Sequence, residues 1–363
     1  MKKIFRISIF IIACLCGQLS KAQDKNDEKI IVITLDGLRW QELFGGADSL
    51  FINNESFVEN REALKKRFWA KTAIERREIL FPFFWNYVVE NGILLGNRWE
   101  NNKVNLTNTM AFSYPGYNEI LTGKADDKHI NSNDKIYNPN KTILEIANST
   151  NRFNGKVLAF GSWDVFPFIL NEKRSGIPVN AGYRSSLSKN PSKEALFLDK
   201  IQKETPKRWG GVRFDVFTHN YALEALKHDK PSILYIAYGE TDDFAHDGRY
   251  DQYLNSANRT DQMIKEIWEY VNSDPFYKGK TTILMTTDHG RGTGTDEDNS
   301  WRHHGTNIPG ANQTWFIAFG NKIKAKGEVK ANAQYYTEQF APTIAKILHL
   351  STEFPASTLP ILD

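Results

Sequence analysis

The chain has 363 residues, more than one average domain but within reach of a single large α/β domain. It carries 46 basic and 43 acidic residues, yet four of the basic residues and none of the acidic ones lie in residues 1–22. The remaining 42 basic and 43 acidic residues nearly balance, so the charge gives no reason to expect a nucleic-acid-binding surface.

Residues 1–22 have the pattern of a secretory signal peptide. Basic residues precede an apolar run at residues 7–16, and a small-residue cleavage pattern ends at Ala22. We predict cleavage after Ala22 and a periplasmic or secreted protein with no membrane span after signal removal. The run is about half of the roughly 20 residues that cross a bilayer, so we rank a transmembrane anchor lower. A lipoprotein start at Cys14 also ranks lower, because Leu15 and Cys16 are an unpromising beginning for a mature lipoprotein. Because Cys14 and Cys16 are the only cysteines, Cys-ligated zinc is excluded from the mature chain.

Short apolar runs alternate with longer amphipathic stretches along the chain. In order, the prediction is a strand at Lys29–Leu35, a helix ending over residues 84–91, an extended segment at 93–95, helices at 113–121 and around 143–147, strands at 156–160 and 232–237, a helix at 251–271, strands at Thr281–Thr286 and 315–319, and a helix at 339–348. This alternation predicts an α/β fold, a three-layer sandwich with a mostly parallel central sheet. We predict one catalytic domain over residues 23–363, with a loop-rich, aromatic elaboration around 161–229.

Acidic residues and histidines gather after the predicted strands. They are Asp36, Asp242, His246, Asp288, His289 and the pair His303-His304. Carboxylate oxygen and neutral imidazole are natural ligands of Zn²⁺. Asp242 and His246 are one helical turn apart and share a side, whereas the adjacent Asp288 and His289 diverge, which suits two metals sharing one loop. Taken singly, each residue has a plainer interpretation: Asp36 as a helix cap, the histidine pair as an exposed loop.

Ser113 opens a predicted helix with Pro115 in its first turn. A hydroxyl at this position lies where the helix dipole and backbone N–H groups favour anions, and a metal can hold it as the alkoxide. The simpler alternative is that Ser113 only caps the helix. The metal-ligand pattern favours the nucleophile.

In their order and spacing these motifs resemble the alkaline phosphatase superfamily, and most closely its type I phosphodiesterase/nucleotide pyrophosphatase branch, which is related to the sulfatases. The resemblance covers roughly residues 29–350. It rests on Asp36-Gly37, the segment from Ser113 to Gly123, the T-D-D-F-A-H run ending at His246, the T-D-H-G run ending at Gly290, and His304-Gly305.

The resemblance implies an alkaline-phosphatase-like fold and two divalent metal ions, zinc first and manganese as a possibility. One ion would be held by Asp242, His246 and His304, and the other by Asp36, Asp288 and His289. Ser113 would attack a small-molecule phosphate ester and form a phosphoserine. His303 is left outside the ligand set because the family's ligand directly precedes glycine.

Several positions depart from the branch. Its nucleophile is usually threonine, and Gly116-Tyr117 replaces an Asn-His pair. Its phosphoryl-binding asparagine is matched here by Asn131 or Asn133, so both are candidates.

Two further features bear on the choice between ester types. Trp163 begins an aromatic stretch that would give a diesterase an apolar wall. Arg291 and Arg302 flank the metal loops and would suit a dianionic monoester. The choice between diester and monoester therefore stays open at this stage.

Other functions on the same fold also remain. Sulfatases need C/S-x-P-x-R for conversion to formylglycine, and Tyr117 stands where the arginine is required. A phosphonate-ester hydrolase and a non-catalytic binding protein are the remaining alternatives. The binding protein ranks lowest, because all seven predicted nucleophile and ligand positions are filled.

Overall fold

The computed structural model describes residues 27–362, and the predicted signal peptide lies outside them. Within this range the strands are β1 (Lys29–Leu35), β2 (Gly92–Leu95), β3 (Asn102–Asn105), β4 (Val157–Gly161), β5 (Val179–Ala181), β6 (Ile233–Tyr238), β7 (Thr281–Thr286), β8 (Gln313–Thr314), β9 (Phe316–Gly320), β10 (Gly327–Glu328) and β11 (Ala333–Tyr336).

Helices connect most of these strands. They are α1 (Trp40–Gly45), α2 (Ser49–Ile52), α3 (Arg61–Phe68), α4 (Ala73–Leu80), α5 (Val89–Asn91), α6 (Ser113–Thr122), α7 (Ile143–Asn148), α8 (Phe166–Ile169), α9 (Glu172–Ser175), α10 (Lys193–Glu204), α11 (Asp215–His228), α12 (Glu240–His246), α13 (Tyr250–Ser273) and α14 (Phe340–Ile347). A π-helical turn at Phe84–Val88 leads into α5, and short 3₁₀ turns lie at Arg98–Glu100, Glu297–Asn299 and Thr337–Gln339. None of the described helices is both long and apolar enough to span a bilayer.

The central sheet has eight strands in the order β10-β2-β9-β7-β1-β6-β4-β5. The strands from β7 to β5 run parallel to one another, whereas β9 runs antiparallel to both of its neighbours. A small second sheet has the order β11-β3-β8. The predicted α/β class with a mostly parallel central sheet is confirmed.

Strand β1 shows why the sheet lies between two helical layers. All seven of its residues are buried, and successive side chains point to opposite faces. Ile31, Ile33 and Leu35 join one core with α1, α11 and α13, while Ile30 and Val32 join another with α6, α7 and α14. A strand covered on both faces requires the continuous apolar run seen in the sequence.

The segment at residues 161–229, expected to be a loop-rich elaboration, contains regular elements joined by loops. This segment holds α8 to α11, and β5 extends the edge of the central sheet. Helix α11 packs against β4 and β6 through apolar residues one turn apart, including Phe217, Tyr221 and Ala225. That spacing is a helical signal, which the many aromatic residues nearby obscured.

Candidate active site

Three adjacent strands bring the predicted ligands together. Asp36 directly follows β1. Helix α12, which carries Asp242 and His246, begins after a single residue that follows β6. Asp288 and His289 are the second and third residues after β7 ends at Thr286. Since β6, β1 and β7 are parallel neighbours, their carboxyl ends meet at one edge of the sheet. Sites in open α/β sheets form at this edge.

His289 lies at the centre of the cluster and is fully buried. Its Nδ1 donates to the carbonyl oxygen of Gly290 at 2.8 Å, which fixes the ring. Its Nε2 then lies 3.3 Å from Asp36 Oδ1 and 3.5 Å from Asp288 Oδ2. Asp36, Asp288 and His289 place one potential ligand atom each within 4.8 Å of one another, and this is the trio that the resemblance implied.

Ser113 is the first residue of α6 and is 5% exposed. Its Oγ lies 3.4 Å from His289 Nε2, so the predicted nucleophile borders the trio. The first turn of α6 presses against the end of β7, because a Cβ at Gly116 would come within 2.2 Å of the Asp288 carbonyl oxygen. This close approach requires glycine at position 116 of this chain.

A second cluster lies on the outer side of His289. The rings of His289 and His304 stack with their centroids 3.9 Å apart. Asp242 Oδ1 lies 3.7 Å from the Nε2 atoms of both rings, and these three residues also have ligand atoms within 4.8 Å of one another. His246 lies on the solvent-exposed side of this second cluster. Its Nε2 lies 3.0 Å from the Nε2 of His304 and 3.2 Å from Asp242 Oδ2. The structure therefore brings all six predicted ligands together.

Negative charge is concentrated here away from water. Burial and the charge of Asp36 raise the pKa of Asp288 well above its usual range. Burial alone would lower the pKa of His289, but the carboxylates of Asp288, Asp36 and Asp242 outweigh it and raise the pKa to about 9. Asp243, which the sequence reasoning missed, is affected in the same direction, since burial and then the charge of Asp242 raise its pKa to about 9.

The donor set fits divalent cations. Asp36 Oδ1 and Asp288 Oδ2 are buried and have no hydrogen-bond partner among the described residues. Buried carboxylate oxygens without partners are costly, and a bound cation removes that cost. Carboxylate oxygens with imidazole nitrogens suit Zn²⁺ and tolerate Mn²⁺.

Arg291 does not point at a substrate, contrary to the role considered from the sequence. It is 1% exposed, and its Nη1 donates to Asp242 Oδ1. Its Nε donates to the Trp301 carbonyl at 2.9 Å and its Nη2 to the Arg302 carbonyl at 2.5 Å. Arg291 thus ties Asp242 to the segment that leads into His304. Arg302 itself donates from Nη2 to the His246 carbonyl at 2.9 Å.

The remaining candidates differ in how close they lie to the nucleophile. Asn133 Oδ1 accepts the backbone N–H of Tyr114, the residue after Ser113, at 2.9 Å. Asn131 is exposed, and its Nδ2 reaches only the Lys128 carbonyl, at 3.5 Å. Trp163 is half-buried and packs edge-to-face on Phe166. Of the two asparagines, the structure therefore places Asn133 beside the nucleophile segment.

Two residues of α6 support the site, and the sequence analysis did not assign them this role. Tyr117 donates its hydroxyl to Asp36 Oδ2 at 2.9 Å. Glu119 is fully buried and accepts the backbone N–H groups of Thr107 and Asn108 together with the Asn108 side-chain amide, at 2.7–3.1 Å. Their only signal was spacing, since Tyr117 lies one turn after Ser113 and Glu119 two residues further on.

We expect Glu119→Ala to lower the free energy of unfolding by about 2–4 kcal/mol, because it leaves buried N–H donors of Thr107 and Asn108 without an acceptor. Glu119→Gln keeps one acceptor oxygen and should cost about half as much. Urea unfolding of the two variants measures both effects. Equal midpoints for Glu119→Ala and the unchanged protein would show that this carboxylate does not hold the segment.

The sulfatase family model matches residues 105–350, more than half of the chain. A curated relative, GPI ethanolamine phosphate transferase 1 of Mus musculus, is 23% identical over 261 residues, which are 71% of this chain and 25% of that protein. The chain thus spans about a quarter of the length of this relative.

Solved structures share the fold at low identity. Alkaline phosphatase PafA superposes with a TM-score of 0.59 at 10% identity, covering 93% of this chain and 99% of that one. The lipoteichoic acid synthase LtaP from Listeria monocytogenes gives 0.57 at 9% identity, covering 91% and 74%. With the family match over residues 105–350 and this fold, the chain belongs to the sulfatase family, within the alkaline phosphatase superfamily.

Proposed function

We propose that the protein is an exported two-metal hydrolase of phosphoric esters that works through a phosphoserine at Ser113. The observation that carries the proposal is the position of Ser113 Oγ, 3.4 Å from the Nε2 of His289, the ring that both ligand clusters share. A serine that only caps its helix has no need of this neighbour. Export is supported by the signal-like pattern of residues 1–22.

The six clustered residues would hold the two ions. Asp36, Asp288 and His289 would bind one, and Asp242, His246 and His304 the other, with His289 facing both clusters. When bound, such ions neutralise the carboxylates and stabilise the charge of the phosphoryl group and of the leaving oxygen. Zinc suits the donor set best and manganese remains compatible.

The chain's own groups do the rest of the chemistry. Ser113 Oγ forms a bond to phosphorus as the bond to the leaving alcohol breaks, so the phosphoryl group, with the second alcohol of a diester still attached, stays on the serine. Water then cleaves the phosphoserine and frees the hydroxyl. Because the Tyr114 N–H fixes Asn133 Oδ1 as an acceptor, both Nδ2 protons of Asn133 remain available for a phosphoryl oxygen.

The engagement of Arg291 favours diesters over monoesters. A monoester dianion needs an additional cation directed at it, yet the guanidinium of Arg291 already contacts Asp242 and two backbone carbonyls. Arg302, the other candidate cation, donates to the His246 carbonyl. A diester carries one negative charge less and has no such need. We therefore infer that the preferred substrate is a phosphodiester.

The test is hydrolysis of bis-p-nitrophenyl phosphate and p-nitrophenyl phosphate, side by side, by residues 23–363 supplied with zinc. We expect the diester to have the higher kcat/KM and a chelator to abolish both activities. A higher kcat/KM for the monoester would overturn the diester preference. If neither ester is cleaved by zinc-loaded protein, the phosphate assignment itself fails.

Sulfate-ester hydrolysis is the second candidate, and the family match favours it. Tyr117 argues against it, because it occupies the position where the formylglycine motif requires arginine and instead donates to Asp36. Mass spectrometry of the tryptic peptide 104–124 decides whether Ser113 is unmodified, as we expect, or has lost two hydrogens. Activity on p-nitrophenyl sulfate together with that loss would replace the phosphate proposal.

A further inference from the structure

A cleft of about 560 Å³ lies between two loop segments, residues 106–111 and 305–312. The first segment ends two residues before Ser113. The second begins directly after His304. Both walls of the cleft are therefore joined directly along the chain to segments of the candidate active site.

The walls of the cleft are polar but uncharged. Hydroxyl and amide side chains dominate them, namely Thr107, Asn108, Thr109, Thr306, Asn307 and Asn312. No charged or aromatic side chain lines the cleft within the described part of the chain. Leu106, Ile308 and Pro309 add small apolar surfaces between the polar groups.

The first wall is held rigidly before any ligand arrives. Glu119 fixes the backbone of Thr107 and Asn108, and Asn108 Oδ1 accepts the Ala111 N–H at 2.9 Å. Ala111 has a φ of +49°, a left-handed conformation that costs energy for a residue with a Cβ. The cleft is therefore a preorganised feature of the fold.

The second wall carries the groups that are free to bind. The Asn312 carbonyl accepts the Leu106 N–H at 3.0 Å and so joins the two walls. The side-chain amides of Asn307 and Asn312 make no hydrogen bond to other described residues, so each offers donors and an acceptor to a ligand. Asn307 and Thr306 line the cleft and are exposed to solvent.

We propose that this cleft binds a neutral, hydroxyl-rich alcohol component of the substrate, a polyol or a sugar. The inference rests on the proposed function, since it extends the ester site at Ser113. A nucleobase would need an aromatic surface for stacking, and a second phosphate would need cations, and the cleft supplies neither. Hydroxyl groups match amides and threonines, and the apolar surfaces match the C–H faces of a polyol or sugar.

The experiment compares p-nitrophenyl phosphodiesters whose second alcohol is glycerol, inositol, glucose or ethanol. We expect kcat/KM for the hydroxyl-rich diesters to exceed that for the ethyl diester by about tenfold or more, mainly through KM. The best of the three alcohols separates an open-chain polyol from a ring.

Two variants test which residues are responsible. Asn307→Leu and Asn312→Leu remove the amides at similar volume, and each should reduce the preference for hydroxyl-rich diesters over the ethyl diester by about tenfold. Asn332→Leu is the matched control, because Asn332 is exposed and lines none of the described cavities. Saturation-transfer NMR with the free alcohol gives a readout that does not depend on turnover.

The outcomes separate the two proposals. If the diesters are cleaved with no preference for hydroxyl groups, or if both asparagine variants keep the full preference, the cleft proposal fails while the ester hydrolase stands. If no diester is cleaved but the free alcohol still contacts the cleft and loses that contact in Asn307→Leu, the hydrolase proposal fails alone.

Discussion

Ser113→Ala is expected to lower kcat/KM for the best phosphodiester by about 10³-fold or more, because the variant has no oxygen to receive the phosphoryl group. The fold should tolerate the change. Ser113 Oγ makes one long contact, to His289, and the N-terminus of α6 has no side-chain cap that the alanine would remove. Steady-state kinetics at equal zinc content, with thermal unfolding measured in parallel, separates lost chemistry from lost folding.

Ser113→Thr is the matched control, since it restores a hydroxyl with one added methyl group. We expect it to recover much of the activity that alanine removes. Acid quenching during turnover should leave one phosphoryl group, still esterified to the second alcohol of the diester, in the tryptic peptide 104–124 of the unchanged protein, and none in that of Ser113→Ala. Full activity in Ser113→Ala would mean that water attacks the ester directly, and the phosphoserine route would be abandoned.

The elements that the sequence predicted best are those whose pattern depends on burial alone. Strands β1 and β7 have their predicted bounds, because strands covered on both faces require unbroken apolar runs that end where polar residues begin. The same logic predicted that most of the candidate ligands lie close together, since the first polar residues after parallel neighbouring strands meet at one edge. The sequence therefore predicted that six residues from four separate segments lie close together, and the structure brings them together.

What the sequence could not predict depends on the direction in which a polar side chain points. Arg291 and Arg302 looked alike as cations beside metal loops, yet the backbone turns Arg291 inward to Asp242 and two carbonyls. Glu119 reads as an ordinary helical glutamate, and only the return of residues 107–108 to α6 makes it an internal acceptor. Such roles arise from tertiary contacts that no local pattern encodes.

Replacing one ligand from each cluster is expected to remove one metal ion each. Asp36→Asn keeps the size of the side chain and an acceptor for the Tyr117 hydroxyl, but it removes the negative charge that faces His289. His304→Ala removes the ring that stacks on His289 from the outer side. We expect zinc content to fall from about two ions per chain to about one in each variant, and kcat/KM to fall on the order of 10³-fold.

The adjacent histidines provide the sharpest control for the outer cluster. His303 Nε2 lies 3.3 Å from Glu297 Oε1 at the surface, whereas His304 Nε2 lies 3.0 Å from that of His246. His303→Ala should therefore keep both ions and nearly full activity, although it differs from His304→Ala by one position. Metal analysis by mass spectrometry after gel filtration measures the content directly. Loss of zinc in His303→Ala but not in His304→Ala would reverse the assignment, and two ions retained in Asp36→Asn would remove Asp36 from the inner set.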